Sequence, residues 1–276
     1  GVTPAQPFWQ QKALIALEWM VGRVTTHWIA VSQADRRQGI EWGLFTASKV
    51  SVVRPGIDPT AFAARIESPE RDRLRAMLGV GPDQLLVGTV SCLKPQKSPE
   101  DFIRVAALVC QRVPAARCVL VGDGVLRPNI EALLLAQGLQ DRVTLLGWRR
   151  DVAALLKAFD VFVLTSQWEG LPCAILEARA SRIPIVATRV GGAAEAIVEG
   201  IQGTLCPAGD VRAMAERVCQ ILEDERFRVD LRTGTQELPE EFTIQETLKQ
   251  YQSLYAYLLH ATRPSEDVMK LQPNRL

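Results

Sequence analysis

Residues 165–195 read TSQWEGLPCAILEARASRIPIVATRVGGAAE, and this stretch decides the predicted fold. It begins at the end of an apolar run (residues 161–166), passes an acidic turn into a helix, and reaches a second apolar run at residues 183–188. Such alternation is typical of a parallel α/β sheet, in which ligands bind at the carboxyl ends of the strands. Glu169 lies at one strand end, and Glu177 follows eight residues later on the helix. We expect the two carboxylates to contact two parts of one ligand.

The start of this helix also favours an anion. Pro172 suits the first turn of the helix, because the N–H that proline lacks would have no partner within the helix at that position. The remaining N–H groups and the partial positive charge of the helix N-terminus attract negative charge. Taken alone, Glu169 is more simply read as a solvated carboxylate at a helix dipole, and Glu177 as a surface residue of an amphipathic helix. Their combination with the Gly-Gly turn at residues 191–192 is more specific than either.

Composition and charge exclude several classes of protein. The 276 residues are 47% hydrophobic and 23% charged, an ordinary balance for one large or two modest globular domains. A net charge of +1 gives no support to a nucleic-acid partner. Six scattered cysteines, without disulfide or metal-ligand spacing, predict a reduced, cytoplasmic protein with no bound metal. No run is apolar enough to predict a transmembrane helix or a signal peptide.

The rhythm of the chain predicts an α/β fold, a doubly wound, Rossmann-like parallel sheet, after an incomplete N-terminal α/β segment. Strands of the sheet are expected at residues 85–91, 116–122, 142–147, 161–166, 183–188 and 204–206, with helices at residues 99–110, 127–137, 152–159, from 171, 193–198 and 210–222. Before them we expect helices at residues 9–24 and 33–42 and strands at residues 27–32 and 49–53.

Four divisions of the chain follow from this pattern. The predicted divisions are residues 1–54 (the incomplete N-terminal α/β segment), 55–242 (the Rossmann-like domain), 243–262 (a crossover helix) and 263–276 (a tail). Because the chain opens on Gly1, we expect it to be truncated. We also expect the strands of the first division to leave Trp19, Trp28 and Ile29 exposed.

Several segments, in order, carry a resemblance to a known family. They are VVRPGID (52–58), VGTVSCLKPQK (87–97), VLVGDG (119–124), LLGWRRDV (145–152), TSQWEGLPCAILEA (165–178), PIVATRVGGAAEAI (184–197) and GTLCPAGD (203–210). Residues 49–259 resemble the C-terminal, donor-binding half of retaining family-4 glycosyltransferases, the glycogen-synthase-like group with the GT-B fold. Residues 9–48 resemble the end of the acceptor-binding half of that family.

The resemblance implies roles for the residues around the E-x7-E motif. Glu169 matches the first glutamate, which faces the donor sugar and is the candidate catalytic residue. Glu177 matches the second, whose carboxylate can accept hydrogen bonds from both vicinal hydroxyls of a ribose. Backbone groups of Gly170, Leu171 and Pro172 are expected to meet the donor sugar and phosphate.

The resemblance also implies a diphosphate and nucleobase site. Lys97 matches the lysine that neutralises charge on the departing nucleotide. Two turns are expected to line the nucleotide cleft. One contains Gly147, Trp148 and Arg149, and the other contains Gly122 and Gly124. Trp148 is read either as a base-stacking residue or as a buried edge tryptophan.

Two positions depart from the family pattern. Cys92 stands where an arginine usually accompanies Lys97, and Lys94 is the candidate replacement, although a lysine does not reproduce the bidentate arginine fork. Arg182 stands where a glycine usually ends the helix, which predicts a left-handed residue at some cost in stability.

The leading functional hypothesis is transfer of a sugar from a nucleotide-diphospho-sugar donor (UDP- or GDP-linked) to an acceptor hydroxyl with retention, without a metal, in cell-surface polysaccharide biosynthesis. The acceptor is expected to be a sugar or a lipid-linked sugar. The alternatives are a nucleotide-sugar 2-epimerase and a non-catalytic nucleotide-sugar-binding remnant. We expect this chain alone to bind nucleotide without transferring sugar. Further expected associations are peripheral attachment at the inner membrane face and a homodimer through the exposed N-terminal segment.

Overall fold

The computed structural model describes residues 6–64, 68–234 and 237–262. Its strands are β1 (Trp28–Ala30), β2 (Val50–Val52), β3 (Leu85–Val90), β4 (Ala116–Val121), β5 (Val143–Gly147), β6 (Val161–Leu164), β7 (Ile185–Thr188) and β8 (Gly203–Cys206). Its helices are α1 (Phe8–Gly22), α2 (Gln33–Glu41), α3 (Thr60–Ala63), α4 (Ser68–Met77), α5 (Pro99–Arg112), α6 (Arg127–Ala136), α7 (Val152–Ala158), α8 (Cys173–Ala180), α9 (Ala193–Ala196), α10 (Val211–Glu223), α11 (Glu225–Gly234) and α12 (Ile244–Thr262).

The larger sheet is parallel, with six strands in the order β5-β4-β3-β6-β7-β8. The chain therefore starts at β3, moves outward to β5, returns to β6 beside β3, and moves outward the other way. Where two such halves meet, the loops after the central strands diverge and leave a crevice at the carboxyl edge. In this protein the crevice lies between the loops that follow β3 and β6.

Both faces of this sheet are covered. One apolar cluster packs α5, α6 and α10 against it, and a second packs α7, α8 and α9 against the opposite face. Every residue of β6 and β7 is buried, because helices lie above and below them. The predicted doubly wound α/β fold is confirmed.

A second, two-stranded parallel sheet pairs β1 with β2. Helix α2 connects the two strands, and Trp28 packs against Phe45 with ring centroids 5.2 Å apart. Trp19 is 44% exposed, as expected, but Trp28 and Ile29 are only half-buried rather than exposed. Their predicted exposure was wrong because the local α/β unit covers part of its own strands.

Helix α12 leads the chain back to this small sheet. The hydroxyl of Thr247 donates to the carbonyl of Arg54 over 2.9 Å. The N–H of Ile57 donates to the carbonyl of Phe242 over 3.0 Å, and the N–H of Ile244 donates to the carbonyl of Ile57 over 2.9 Å. These contacts lie near the predicted domain boundaries at residues 54 and 242. The predicted tail at residues 263–276 lies outside the described residues, as do the first five residues.

Some helices were not expected from the sequence: α3, α4 and α11. Helix α4 is held by a buried cluster in which Arg75 and Arg71 donate to the carboxylate of Asp160 over 2.9 and 2.8 Å. The N–H of Leu86 donates to the same carboxylate. The cluster joins α4 to the starts of β3 and β6, so its charges are compensated where they are buried.

Two predicted helix ends can be compared with the structure. Pro172 is the N-cap of α8 rather than a residue of its first turn, so the helix begins at Cys173. After the helix, Arg182 has φ of 56°, the left-handed conformation expected where a glycine is usual. In the described part of the chain, no helix is both long enough and apolar enough to cross a bilayer.

Candidate functional site

Hydrogen bonds join the two loops that border the crevice, the loop after β3 and the loop after β6. The N–H of Gln167 donates to the carbonyl of Gln96 over 2.8 Å, and the side chain of Gln96 donates to the carbonyl of Trp168 over 2.9 Å. The hydroxyl of Thr165 donates to the carbonyl of Lys97 over 3.0 Å. The loop after β3 therefore has a fixed position relative to the loop that carries Glu169.

Glu169 and Lys97 form an ion pair across the crevice. The side chain of Glu169 is 6% exposed and that of Lys97 is 18% exposed, so the pair is largely shielded from water. The hydroxyl of Ser166 donates a second hydrogen bond, over 2.6 Å, to the same carboxylate oxygen, Oε1 of Glu169. The protein itself thus compensates the charge of Glu169. The ammonium of Lys97 keeps further donors for a ligand, because a lysine has three.

Glu177 has the opposite environment. It lies half-buried on α8, and burial raises the pKa of its carboxyl above the ordinary value. Within residues 6–64, 68–234 and 237–262, its carboxylate has neither a hydrogen-bond donor nor a cationic partner. A carboxylate that is partly dehydrated and unpaired is suited to accept hydrogen bonds from a ligand.

The glycines after β6 and β7 allow these loops to touch. A Cβ on Gly191, whose φ is 46°, would lie 1.8 Å from the carbonyl oxygen of Glu169. A Cβ on Gly192 would lie 2.2 Å from the carbonyl oxygen of Gly170, which accepts the N–H of Gly192 over 2.7 Å. Side chains at residues 191 and 192 would therefore push the Glu169 loop away.

The Glu169 loop leads directly into α8, whose N-cap is Pro172. Leu171 and Pro172 are buried, which holds the turn between Glu169 and the helix. The first amides of an α-helix have no partner within the helix and attract anions. In α8 these amides belong to Cys173 and Ala174, because the helix begins at Cys173 and its N-cap, Pro172, has no N–H.

The turns after β4 and β5 continue the crevice. Gly122 and Gly124 have φ of 133° and 159°, and a Cβ on either would lie within 2.5 Å of a carbonyl oxygen in the loop after β3. The N–H of Gly122 donates to the carbonyl of Gly147 over 2.8 Å. The structure therefore brings Gly122, Gly124 and Gly147 to the same edge of the sheet as Lys97.

The remaining predicted residues of the crevice are more exposed. Trp148 is 70% exposed, which excludes a buried edge tryptophan and leaves its ring free to stack. Arg149 forms a two-pronged ion pair with Asp151, at 2.8 and 2.6 Å. Lys94 is exposed and Cys92 is half-buried with a free thiol.

One wall of the site was missed in the sequence. The carboxylate of Glu195 accepts the N–H groups of Gln33 and Ala34 over 3.1 and 2.9 Å, at the start of α2. It also accepts a guanidinium N–H of Arg54 over 3.0 Å. Helix α2 is thereby docked beside the Gly-Gly turn, with Asp35 close to Gly170. The acidic residue after the Gly-Gly turn was the available signal, but its partners are more than 140 residues away.

No group of three or more His, Cys, Asp or Glu side chains that could hold a metal ion occurs among the described residues. Metal independence stays a prediction.

The six-stranded parallel sheet, with its crevice at the switch point, has the architecture of GT-B glycosyltransferases. The chain belongs to the family described as Glycosyl transferases group 1, whose sequence profile matches residues 70–238. The family predicted from the sequence is confirmed.

The relatives of the chain include named enzymes. It is 28% identical over 242 residues to the UDP-Gal:alpha-D-GlcNAc-diphosphoundecaprenol alpha-1,3-galactosyltransferase of Escherichia coli, covering 87% of this chain and 62% of that protein. It is 31% identical over 184 residues to the N-acetyl-alpha-D-glucosaminyl L-malate synthase of Bacillus anthracis, covering 66% and 48%. The chain thus spans between about half and two thirds of the length of these two relatives.

Solved structures show the same architecture. The crystal structure of Anabaena HepE in complex with UDP superimposes with a TM-score of 0.78 at 25% identity, covering 92% of this chain and 70% of that one. The complex of the same protein with UDP-glucose gives 0.75 at 27% identity, covering 84% and 64%.

Proposed function

We propose that this chain binds a nucleotide-diphospho-sugar in the crevice between the loops after β3 and β6, as the donor-binding part of an enzyme that transfers the sugar to an acceptor hydroxyl with retention of configuration. The observation that carries the proposal is the contrast between two carboxylates on either side of the start of α8. The charge of Glu169 is balanced by Lys97, whereas Glu177 is partly buried and its pKa is raised. The HepE complexes with UDP and UDP-glucose support a uridine nucleotide as the first ligand to test.

Each residue contributes a different interaction in this proposal. Glu177 accepts the two ribose hydroxyls, since no described residue donates a hydrogen bond to its carboxylate. The amides at the start of α8 and the ammonium of Lys97 receive the diphosphate, where negative charge grows as the bond to the sugar breaks. The turns with Gly147 and Trp148 receive the nucleobase, with Trp148 stacking on its ring.

The reacting groups follow from this placement. The acceptor hydroxyl attacks the anomeric carbon on the face from which the diphosphate departs. The bond between that carbon and the phosphate oxygen breaks, and the hydroxyl proton passes to the departing phosphate. Glu169, fixed by Ser166 and Lys97, lies at this centre and stabilises positive charge on the sugar.

The finer parts of the earlier predictions remain proposals. A cytoplasmic location, peripheral attachment at the inner membrane face and a homodimer stay predictions, as do the four divisions of the chain. So does the expectation that these 276 residues alone bind nucleotide without transferring sugar. Neither relative described above and neither HepE complex carries the name of an epimerase, and no contact among the described residues favours that alternative.

The test combines binding with product analysis. Calorimetry with UDP, GDP and ADP should reveal one preferred nucleotide, and proton NMR of the product from an α-linked donor should show an α-linked sugar. A β-linked product would contradict retention. Absence of binding to every nucleotide would contradict the donor site, and robust transfer by the 276-residue chain would contradict its predicted inactivity.

A further inference from the structure

A cavity of about 340 Å³ lies where α7, α8 and α11 end, at the amino edge of the six-stranded sheet. Its place follows from Arg71, which lines it and donates to the carboxylate of Asp160, the residue immediately before β6. The crevice with Glu169 lies at the carboxyl edge of the same sheet. The cavity is therefore separate from the proposed donor site.

The walls of this cavity carry an excess of positive charge. Among the described residues, it is lined by no acidic side chain and by four basic ones: Arg71, Lys157, Arg182 and Arg232. The rest of the wall is mainly apolar, with Phe62 as its largest side chain. A concave surface with charge of one sign concentrates ions of the opposite sign, so this cavity favours an anion.

The protein compensates only part of this charge. Arg71 donates to Asp160 over 2.8 Å and to the carbonyl of Lys157 over 3.2 Å. Asp160 also pairs with Arg75 over 2.9 Å, so that one carboxylate is shared between two guanidiniums. The other three basic side chains of the cavity form no ion pair or hydrogen bond with any residue in the described ranges. They are available to a ligand.

Arg232 has the least favourable surroundings of these cations. It is half-buried in the last turn of α11. Burial lowers the pKa of its guanidinium, the charge of Arg71 adds to this, and the charge of Asp160 opposes it. A guanidinium nevertheless stays protonated near neutral pH. A partly dehydrated cation beside like charges costs free energy, which an anion in the cavity would offset.

The hydroxyl of Ser181 is an independent observation on the same wall. Its oxygen is shielded from water and has no hydrogen-bond partner among the residues that the structure describes. Buried polar groups are nearly always hydrogen-bonded, so an unpartnered hydroxyl at a cavity is a donor that a ligand oxygen can use.

A simpler explanation is that the cations only stabilise helix ends. Positive charge is favourable at a helix C-terminus, and Lys157 and Arg232 lie in the last turns of α7 and α11. This explanation does not account for the unpartnered hydroxyl of Ser181. It also does not account for the convergence of three unpaired cations on one cavity.

We propose that this cavity binds the phosphate group of a small phosphomonoester, with Arg232, Arg182 and Lys157 as its cationic partners. An arginine can donate two parallel hydrogen bonds to a phosphate, and a lysine adds a point charge. A phosphomonoester carries a charge of about −1.5 to −2 near neutral pH, which these cations can balance. The cavity is small for a ligand site, since such sites span about 300–1,000 Å³, so the body of the ester beside Phe62 is compact. The proposal is independent of the proposed donor function.

The test is calorimetry with inorganic phosphate, glycerol 3-phosphate and, as the neutral control, glycerol. Saturating UDP is present so that the donor site is filled. The variants are Arg232→Gln and Ser181→Ala, and Arg226→Gln is the matched control, because Arg226 is an exposed arginine of the same helix that does not line the cavity. Sedimentation with phosphatidylcholine vesicles that contain phosphatidic acid tests whether the phosphomonoester belongs to a lipid. The thermal midpoint is measured for every variant.

Glycerol 3-phosphate should bind the wild type at least as tightly as inorganic phosphate does, and glycerol should not bind. Arg232→Gln should weaken the ester about tenfold or more, as for loss of a hydrogen bond between charged groups. Ser181→Ala should weaken it less and leave the thermal midpoint unchanged, because its hydroxyl has no partner to lose. Arg226→Gln should change nothing. If Arg232→Gln does not fold, Lys157→Gln takes its place with the same expected loss.

Four results would overturn the proposal. They are no binding of either phosphate compound by the wild type, undiminished binding by Arg232→Gln, equal losses in Arg232→Gln and Arg226→Gln, and binding of the phosphatidic acid vesicles without binding of the soluble ester. If UDP itself does not bind, the donor function fails, and the contrast between the Arg232 and Arg226 variants still tests the phosphate site.

Discussion

Glu169 and Glu177 are separated by eight positions in the sequence, and their surroundings differ in kind. Glu169 has its charge compensated by Lys97 and Ser166 inside the protein, whereas Glu177 has no donor from the described residues and a raised pKa caused by burial. The comparison shows that two acids of one motif can have different roles. One is fixed before any ligand arrives, and the other is left for the ligand to satisfy.

The most disruptive way to test this comparison is Glu169→Gln. The variant removes the charge that balances Lys97, and we expect sugar transfer by the full enzyme that contains this chain to fall on the order of 100-fold. We also expect the free energy of unfolding to fall by about 1–3 kcal/mol, less than for a fully buried pair because Lys97 keeps some solvent.

Urea denaturation and initial rates measure both effects, and Glu199→Gln is the matched control. Glu199 pairs with Arg189 over 2.6 Å at the surface, where such pairs contribute about 1 kcal/mol or less. Equal losses in the two variants would show that Glu169 is not specially fixed.

Glu195 is a third carboxylate with a structural task, and Glu195→Ala sharpens the comparison. Its loss leaves two amides of α2 without their acceptor and removes one of the two carboxylates that pair with Arg54, the other being Glu241. We expect a loss of about 2 kcal/mol in the free energy of unfolding, in the range found for helix caps. Faster hydrogen exchange confined to α2 would show that its docking is lost, and unchanged exchange there would contradict the role of Glu195.

The pH dependence of nucleotide affinity tests Glu177 directly. The ionised carboxylate accepts ribose hydroxyls, so UDP affinity should fall as the pH drops through the raised pKa of Glu177, above the ordinary value of 4.5. Glu177→Gln should lose this part of the profile while keeping the part that comes from the phosphate of UDP. Identical profiles for wild type and variant would remove Glu177 from the site.

The smallest effect concerns the stability of the free protein. Because the folded pKa of Glu177 is raised, its contribution to stability is present at low pH and lost as the pH rises through that folded pKa. At neutral pH, Glu177→Gln should therefore be at least as stable as the wild type in thermal unfolding. A clear drop in the midpoint would mean that the carboxylate has a stabilising partner.

Much of the fold was predictable because it depends on patterns among residues that are close in sequence. The apolar strands, the helix predicted at residues 210–222 and the left-handed Arg182 all depend on neighbours in sequence. Helices α4 and α11 were missed because their residues are mainly charged, and α4 is held by the distant Asp160.

The site divides in the same way. The E-x7-E motif and Lys97 could be found in sequence. The pairing of Glu169 with Lys97, and the lack of a partner for Glu177 among the described residues, depend on the folded structure. The docking of α2 through Glu195 and Arg54, and the position of Asp35 beside Gly170, join residues more than 130 positions apart. No periodicity or spacing could indicate these contacts.

The central claim is that the two glutamates have different tasks, and calorimetry with UDP on Glu169→Gln and Glu177→Gln tests it most directly. Loss of the ribose acceptor should weaken UDP binding by Glu177→Gln about tenfold or more. Glu169→Gln should bind UDP as well as the wild type or more tightly, since Lys97 is then released for the diphosphate. Wild-type affinity in Glu177→Gln, or an equal loss in both variants, would contradict the account.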